Sequence, residues 1–449
     1  MKIVLSILSC IFVLNASGNS SLSLSDALKT LKRNNIEIKT ANINIKIADE
    51  NLQAAEGVNW GKLSFTQDIV NSNDAGNVFG FKLTSREANF GDFGFSEFST
   101  TNPNILTLQP NDLNYPKTRS FFQSKLKYEL PLFTGFAISN YTKILTEVKK
   151  IKKLQKEEML NEKIYQLKKS YYDMALLNNS IKHLQIILQN INTLQNITKN
   201  MIIEGYAKHI DLLEVKSKKG NVERLLQQMQ SNKKLLYHYL SFLLNEKVTQ
   251  IETPKKPISL PIYSDETILK NNLDIKKAST GLSINESMLK ASKSVYYPTI
   301  GAFAELSTAD NTFLGDADKH KSYTVGAHLS WNLFNGGIDT AKIEKSKLQH
   351  LKMRLQVELA KNGIKLKIAK IKTEIQSADE EIRSLQAELK FADAIYKNYE
   401  GRYKEKLSSM SDVIIKQSAQ IQKILELQVA QNKRNEKIFA LEKLANGEN

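Results

Sequence analysis

The sequence predicts a mainly α-helical protein that also contributes strands to a membrane β-barrel. Three observations lead to this fold class: two long tracts without proline, an internal repeat, and segments in which apolar and polar residues alternate. The eight prolines leave residues 132–253 and 299–449 of the 449-residue chain without any. Because proline breaks helix interiors, we expect very long helices in both tracts.

The composition excludes several classes of protein. Hydrophobic residues make up 41% and charged residues 24% of the chain, which is too ordinary for a disordered protein. The mean hydropathy of −0.35 excludes a bundle of transmembrane helices. The net charge of +16 is carried by lysines spread along the chain among 47 acidic residues, without a recognisable nucleic-acid motif. We therefore interpret it as a solvated helix surface and expect no nucleic acid partner.

The N-terminus has the pattern of a signal peptide. Lys2 precedes an apolar run over residues 3–14, and small residues follow it, so residues 1–18 are predicted to be removed on export. A lipoprotein interpretation through Cys10 is the weaker alternative. Since Cys10 is the one cysteine of the sequence, the mature chain would have no disulfide, thiol catalysis or cysteine-bound zinc.

The chain contains an internal repeat. Segment 34–39 (NNIEIK) recurs 237 residues later as 271–276 (NNLDIK), and segment 132–135 (LFTG) recurs 201 residues later as 333–336 (LFNG). The two offsets differ because the first copy carries 36 extra residues. Each copy predicts the same order: helix, strand, loop, strand, very long helix, turn and returning helix.

The repeat divides the chain into domains. The first copy is predicted to cover residues 19–245 and the second 270–449, with a linker at 246–269 that holds Pro254, Pro257 and Pro261. Each copy ends in a long helical hairpin, and the predicted hairpins cover 135–245 and 336–445.

Each copy also contains two segments with period-two alternation. In the clearest one, apolar residues alternate from Phe122 to Leu132, with polar residues such as Lys125 and Lys127 between them. About eleven alternating residues is the length of an outer-membrane barrel strand, whereas strands of soluble proteins usually have about five or six. The polar side of the last strand carries His328, which we expect to line a lumen. The predicted strands are 60–70, 120–133, 296–306 and 322–334.

Four strands cannot close a barrel. An open edge in lipid would leave backbone groups unpaired, and the smallest single-chain barrels have about eight strands. Strands pooled from three copies would make a closed 12-stranded barrel. We therefore predict a homo-oligomer embedded in outer-membrane lipid, and this arithmetic allows a homotrimer.

The helices show the spacing of coiled coils. Apolar residues recur at steps of four and three from Ile364 to Tyr399, and nearly so from Leu160 to Ile191. Such 3.5-residue spacing specifies left-handed helix packing. A non-channel coiled-coil protein, either a periplasmic adaptor or a surface scaffold, is the alternative. The barrel-length strands and the second hairpin disfavour it.

From about residue 22 to the C-terminus, this layout resembles the TolC family of outer-membrane efflux and secretion channels. The resemblance rests on the duplicated plan, the Leu-Phe-x-Gly junctions and the paired turns between long helices. It implies a trimer with a 12-stranded barrel in the outer membrane and a 12-helix tunnel through the periplasm. It also implies a tripartite efflux or type I secretion system, in which a periplasmic adaptor and an inner-membrane pump are the partners. The linker would form part of a belt around the tunnel.

The resemblance implies a gate at the periplasmic end. The positions that match the family's aspartate rings are Asp211 and Asp412, and Tyr403 matches a tyrosine that holds the tip closed by hydrogen bonding between helices. Ser408 and Ser409 stand where a basic partner of the second aspartate is expected. Both aspartates are equally well explained as helix N-caps after tight turns, and Tyr403 as a residue of the heptad core.

The two turns are the positions where family members meet the adaptor. The alternative is that these residues only form the turns, which already explains the presence of Gly205. The predicted adaptor-contact residues are Gly205, Tyr206, Ala207, Lys406, Leu407 and Ser408.

No enzyme is predicted, and neither a cofactor nor a metal. The six histidines have no H-x-H or H-E-x-x-H spacing, and the sequence contains no phosphate-cradling glycine loop and no G-x-S-x-G motif.

The extra residues of the first copy, within 71–119, predict the larger of two external loops, and 308–321 predict the smaller. The larger loop is rich in aromatic residues and glycine, which indicates a segment folded over the barrel mouth. These residues are Phe79, Phe81, Phe90, Phe93, Gly94 and Phe95.

Overall fold

The structure is a computed structural model that describes residues 21–252, 254, 258–313, 315 and 318–446. The predicted leader at 1–18 and Pro257 of the linker lie outside the described residues. The described part of the chain contains ten α-helices and four β-strands. The helices are α1 (Leu24–Asn34), α2 (Ile36–Gly57), α3 (Ala75–Thr84), α4 (Asn111–Asn114), α5 (Ala137–Ile203), α6 (His209–Leu244), α7 (Asp265–Asn271), α8 (Leu273–Ser292), α9 (Ile338–Lys404) and α10 (Met410–Ala445). The strands are β1 (Lys62–Ser72), β2 (Arg119–Thr134), β3 (Thr299–Asp310) and β4 (Lys321–Ser330).

The long helices have equal lengths in the two halves of the chain. Helices α5 and α9 have 67 residues each, and α6 and α10 have 36 each. Helix α9 begins 201 residues after α5, and α10 begins 201 residues after α6. None of the helices in the described ranges is both long and apolar enough to cross a membrane.

The chain divides into two compact units. The first contains the described residues up to 45, together with 152–279 and those from 356 onward. The second contains 46–151 and 280–355. All of the strands belong to the second unit, and both turns between long helices belong to the first.

The first unit is built on the heptad residues of the long helices. Every heptad residue singled out in the sequence is buried or half-buried. Burying one leucine or isoleucine side chain stabilises the fold by about 1.5–3 kcal/mol. The fully buried members include Leu167, Met174, Leu184 and Ile191 on α5, and Ile368 and Ile375 on α9.

The linker contacts the start of the described chain in the same unit. Leu22 forms a parallel bridge with Ile251, and the hydroxyl of Tyr171 donates to the carbonyl oxygens of Leu22, at 3.0 Å, and Glu252, at 2.5 Å. Burial is the main cause that raises the pKa of Tyr171, to about 12, so this donor keeps its proton at neutral pH. The linker segment is therefore tied to α5.

The repeated Asn-Asn motif has a structural explanation. Its second asparagine lies between α1 and α2 in the first copy, where Asn35 donates from Nδ2 to the carbonyl of Leu243 at 2.8 Å and accepts from the Ile38 amide at 3.0 Å. Asn272, between α7 and α8, makes the same two hydrogen bonds to Leu444, at 3.1 Å, and Ile275, at 3.2 Å. Each asparagine fastens a helix break to the end of the returning helix.

We expect Asn35→Ala and Asn272→Ala each to lower the free energy of unfolding by about 1–3 kcal/mol, because each change leaves a buried carbonyl and a buried amide without their partner. Thermal unfolding of the helices, followed by circular dichroism, measures the change. Asn34→Ala is the control, since Asn34 makes a long 3.4 Å contact to Glu246 at an exposed position. Equal losses for Asn34→Ala and Asn35→Ala would contradict the assignment.

The second unit contains one antiparallel sheet with the strand order β1-β2-β3-β4. Strand β3 begins at Thr299 rather than at the predicted 296, because residues 293–296 form a 3-10 turn and Pro298 has no backbone N–H to donate. The partner of Thr299 is Ser330. Strand β4 therefore ends there and not at the predicted 334.

Candidate functional site in the sheet and at the helical tip

One face of the sheet is apolar and open to its surroundings. Leu63 aligns with Tyr128, and Phe65 with Leu126, across β1 and β2, and Leu306 aligns with Tyr323 across β3 and β4. Apolar side chains of this face are well exposed in the single chain, for example Leu63 (64%), Tyr323 (78%) and Val325 (72%). An exposed apolar surface of this extent marks contact with a membrane or a protein. We call it the apolar face; it contains Leu63, Phe65, Ile69, Phe122, Leu126, Tyr128, Leu306, Tyr323, Val325 and Leu329.

The opposite face of the same strands is polar. Lys127 forms an ion pair of 2.8 Å with Glu129 and aligns with Glu305 of β3. His328 lies on this face, opposite Gly301, as the alternation predicts. The charges of both signs are interleaved, which is typical of a surface that contacts water. This polar face contains Lys62, Ser64, Thr66, Asp68, Gln123, Lys125, Lys127, Glu129, Glu305, Thr324 and His328.

Aromatic residues cluster at the end of the sheet where the chain continues into helices. Both tryptophans lie there, Trp60 just before β1 and Trp331 just after β4, and they are 80% and 53% exposed. The hydroxyl of Tyr128 donates to the carbonyl of Trp60 at 2.6 Å. Exposed aromatic residues at the end of an apolar strand face are typical of the interface between a membrane and water.

The Leu-Phe-x-Gly junctions connect a strand to a long helix through left-handed backbone. Gly135 and Phe136 have φ of 59° and 68°, and Gly336 and Gly337 have φ of 55° and 81°, so two consecutive left-handed residues precede each of the helices α5 and α9. A Cβ on Gly135 would lie 2.6 Å from the carbonyl oxygen of Ser294. The glycine of the motif is thus required at both junctions by its left-handed backbone.

At the other end of the long helices, both candidate gate aspartates lie in the first helical turn. Asp412 accepts from the Ser409 amide at 3.2 Å and from the Ser409 hydroxyl at 2.6 Å, and Asp211 accepts from the Lys208 amide at 2.7 Å. The N-cap positions belong to Lys208 and Ser409. The interpretation of the aspartates as N-caps is therefore wrong. Each aspartate lies three residues after the N-cap residue, and its side chain accepts a hydrogen bond from the backbone amide of that residue.

Tyr403 is buried and links two helices. Its side chain is 5% exposed, and its hydroxyl donates to Oγ1 of Thr198 on α5 at 3.3 Å. Burial raises the pKa of Tyr403, and the charge of Asp211 adds to the increase. The residue also packs in the hydrophobic cluster near the turns with Met201, Val413 and other residues, as expected of the heptad core.

The two turns contact each other through Lys406 and Tyr206. The Nζ atom of Lys406 lies 3.2 Å from the centroid of the Tyr206 ring, and 3.9 Å from a carboxylate oxygen of Glu204. Lys406 has a left-handed φ of 63°, matching the φ of 80° at Gly205. Such a backbone costs a lysine about 1–2 kcal/mol.

The other predicted tip residues differ in exposure. Tyr206 and Leu407 are 63% and 68% exposed, so both are available to a partner. Ala207 packs against the buried cluster near the turns, and Ser408 donates from its hydroxyl to the carbonyl of Tyr399 at 3.2 Å.

Sequence reasoning missed Thr198 and the capping role of Ser409. It also missed the contact in which the Ser411 hydroxyl donates to the carboxylate of Glu214 at 2.8 Å. Ser409 was detectable, because serine followed three residues later by aspartate is a capping pattern. Thr198 is fully buried, and a polar residue within an apolar seam is the signal that would have revealed it.

We expect the start of α10 to lose protection in acid. Hydrogen bonds from Ser409, and then the charges of Lys416 and Arg402, lower the pKa of Asp412 below its ordinary value of 3.8. Its stabilising effect is therefore complete above pH 3.8 and is lost as the pH falls through the lower folded-state pKa. Amide hydrogen exchange of the first turn of α10 measures this. Asp412→Asn should remove the pH dependence of this protection, once the intrinsic exchange rate is divided out. An unchanged pH dependence of protection in that variant would contradict the assignment.

A comparison with protein families found a match over the second half of the chain. Residues 266–447 match the family model described as "Outer membrane efflux protein". No curated protein matches the chain by sequence.

Solved structures of similar fold cover nearly the whole chain. The structure of CusC has a TM-score of 0.78 and 13% identity over 94% of this chain and 91% of its own. The outer membrane protein VceC of Vibrio cholerae has a TM-score of 0.76 and 14% identity over 94% and 96%. The outer membrane channel CmeC of Campylobacter jejuni has a TM-score of 0.76 and 12% identity over 94% and 85%.

Proposed function

We propose that three copies of this chain form one export channel in the outer membrane, because residues 266–447 match the outer membrane efflux protein family model and the chain has the fold of outer-membrane channels. The family and the fold are those of channels and not of enzymes. The proposed channel would move solutes or polypeptides without chemistry of its own, and its energy would come from a partner pump.

The observation that carries the proposal is the pair of opposite faces on one open sheet. The apolar face suits lipid, and the polar face suits a water-filled lumen. In the described part of the chain, β1 and β4 each pair with one neighbour only, so each leaves one edge with unpaired backbone groups. Lipid does not tolerate such edges. Pairing β1 of one copy with β4 of the next closes the sheet after three copies, as a 12-stranded barrel.

The long helices support a tunnel that continues from the barrel into the periplasm. Each copy would contribute α5, α6, α9 and α10, which gives twelve helices in the trimer. The apolar seams of these helices have the spacing of coiled coils, which suits side-by-side packing in such a wall. The described residues of the linker at 246–269 and those near Leu444 would contribute to a belt around it.

The helical turns are proposed as the gate and the docking site. Three copies of Asp211 and Asp412 around a narrow axis would concentrate negative potential and restrict flow. Tyr403 would hold α9 against α5 in the closed state. The exposed Tyr206 and Leu407 would meet a periplasmic adaptor that joins the channel to an inner-membrane pump, in an efflux or type I secretion system.

Membrane fractionation tests the channel. We expect the protein to sediment with the outer membrane, to be extracted only by detergent, and to have a native mass of three chains. The purified oligomer should form discrete conductance steps in planar bilayers. Recovery as a soluble periplasmic protein would refute the proposal and favour the coiled-coil scaffold.

Photo-crosslinking in cells tests the adaptor. A photoreactive amino acid at Leu407 is expected to capture a periplasmic protein with a helical hairpin, identified by mass spectrometry. Lys390, an exposed residue within α9, is the matched control position and should not capture it. The same product from both positions would refute docking at the turns.

A further inference from the structure

The segment between β1 and β2 is a folded structure. Val78 of α3 is 2% exposed, and the ring of Phe79 meets that of Phe93 edge to face, with centroids 5.0 Å apart. Lys82 forms an ion pair with Asp92. We call residues 73–118 the outer loop.

The register shows on which side of the sheet the outer loop lies. Phe81 of α3 stacks on Phe121 of β2, with ring centroids 4.2 Å apart. Residues two apart on a strand share a face, so Phe121 lies on the same face as Gln123 and Lys125. The outer loop is therefore attached to the polar face, and this face lines the lumen of the proposed barrel.

A partly buried ion pair supports the same attachment. Arg119 lies two residues before Phe121 on β2, so its side chain also belongs to the polar face. Its guanidinium forms an ion pair with Glu87 and donates to Oγ of Ser85 at 3.3 Å. Ser85 is fully buried. Separating this pair would leave two partly buried charges without their partners, which opposes local opening.

The outer loop also has an exposed aromatic surface. Phe90, Phe95 and Phe98 are 81%, 60% and 56% exposed, yet the ring of Phe95 meets the rings of both others. The ring centroids of Phe90 and Phe95 are 6.1 Å apart, and those of Phe95 and Phe98 are 6.2 Å apart. We call these three residues the aromatic patch.

A glycine next to the aromatic patch has a constrained backbone. Gly94 has a φ of +88°, and a Cβ there would lie 2.5 Å from the side chain of Pro110. The aromatic patch is thus presented by a constrained turn.

We propose that the aromatic patches of three outer loops pack on one another at the barrel axis and close its outer mouth. The inference rests on the proposed trimeric barrel. Twelve strands about 4.8 Å apart and tilted by about 40° enclose a diameter of about 24 Å. The distance from the wall to the axis is then about 12 Å, and a helix such as α3 is about 10 Å wide. A layer held against the inner wall therefore extends almost to the axis.

The occupant of the aromatic patch is a second copy of this chain rather than lipid. Lipid covers the apolar face, whereas the outer loop is held on the polar face. In a ring of three, the surface directed away from the wall faces its own copies. Three exposed phenylalanines from each copy would then be removed from water together, which stabilises the closed mouth.

Crosslinking of single cysteines tests this contact. In a Cys10→Ser background, Phe95→Cys is expected to give covalent dimers and trimers with a short bifunctional maleimide in intact outer membranes. Lys117→Cys, at the wall end of the outer loop, is the matched control and should remain monomeric. A native mass of three chains without crosslinking at Phe95→Cys overturns the inference alone. A native mass other than three chains overturns the proposed channel and the inference with it.

Labelling from outside the cell tests closure, independently of the periplasmic gate. A cysteine at Thr324 on the polar face should react slowly with a bulky maleimide when the aromatic patch is intact. Replacing Phe90, Phe95 and Phe98 by serine, or deleting residues 75–98, should increase this rate several-fold and leave the rate with a small maleimide unchanged. Equal rates with the bulky reagent before and after the change overturn the inference.

Discussion

Arginine in place of Val325 is expected to abolish accumulation of the protein in the outer membrane. Val325 is 72% exposed and lies on the apolar face of β4. An arginine on the lipid face of a barrel costs about 2–4 kcal/mol at the membrane midplane. The cost occurs three times in a trimer, so the sum of about 6–12 kcal/mol approaches the stability of a whole protein. The measurement is the amount of protein in the outer-membrane fraction.

The neighbouring residue provides the matched control for this experiment. Thr324 belongs to the polar face and aligns with Glu305 of β3, so an arginine there would lie in water near an acid. We expect Thr324→Arg to assemble normally. If both variants disappear from the membrane, or if both assemble, the assignment of the two faces is wrong.

Removal of one hydroxyl at the tip is expected to open the channel. Tyr403→Phe deletes the hydrogen bond between α9 and α5, and one neutral hydrogen bond contributes about 0.5–1.5 kcal/mol. Three copies together contribute about 3 kcal/mol, which corresponds to about a hundredfold change in the ratio of open to closed channels. Conductance of the purified oligomer in planar bilayers measures this ratio.

A second tyrosine of α9 separates gating from packing. Tyr396 lies seven residues earlier and is 1% exposed, but its hydroxyl has no hydrogen-bond partner among the described residues. Tyr396→Phe therefore removes no hydrogen bond and should leave the conductance unchanged while stabilising the helices slightly. A similar rise in both variants would show that loosened packing, and not the link to Thr198, opens the channel.

Much of the fold follows from periodicity in the sequence. Alternation predicts β1 and β2 to within two residues at either end, because one face of each strand is apolar and the other polar. Heptad spacing identifies the buried side of α5 and α9. The alternating run of β4, however, extends beyond the paired strand. Its end depends on where Pro298 lets β3 begin, which is a property of the partner strand.

The candidate site is less visible in the sequence than the fold. Asp211 and Asp412 stand out because the repeat places them at matching positions, but their role in capping depends on which residue begins the helix. Thr198 is 205 residues from Tyr403, and no local pattern connects the two. Contacts of this kind depend on how the helices pack side by side.

The equal lengths of the long helices constrain how this chain can evolve. The contact between Lys406 and Tyr206 requires that the two turns lie level. A seven-residue insertion in α5 alone would displace its turn by about 10 Å, and a compensating insertion in α6 would be needed for the chain to return. Both turns can shift together only if α9 and α10 change as well. Lineages with a longer or shorter tunnel should therefore differ by whole heptads in four places at once, whereas the outer loop, free of this requirement, can vary in length on its own.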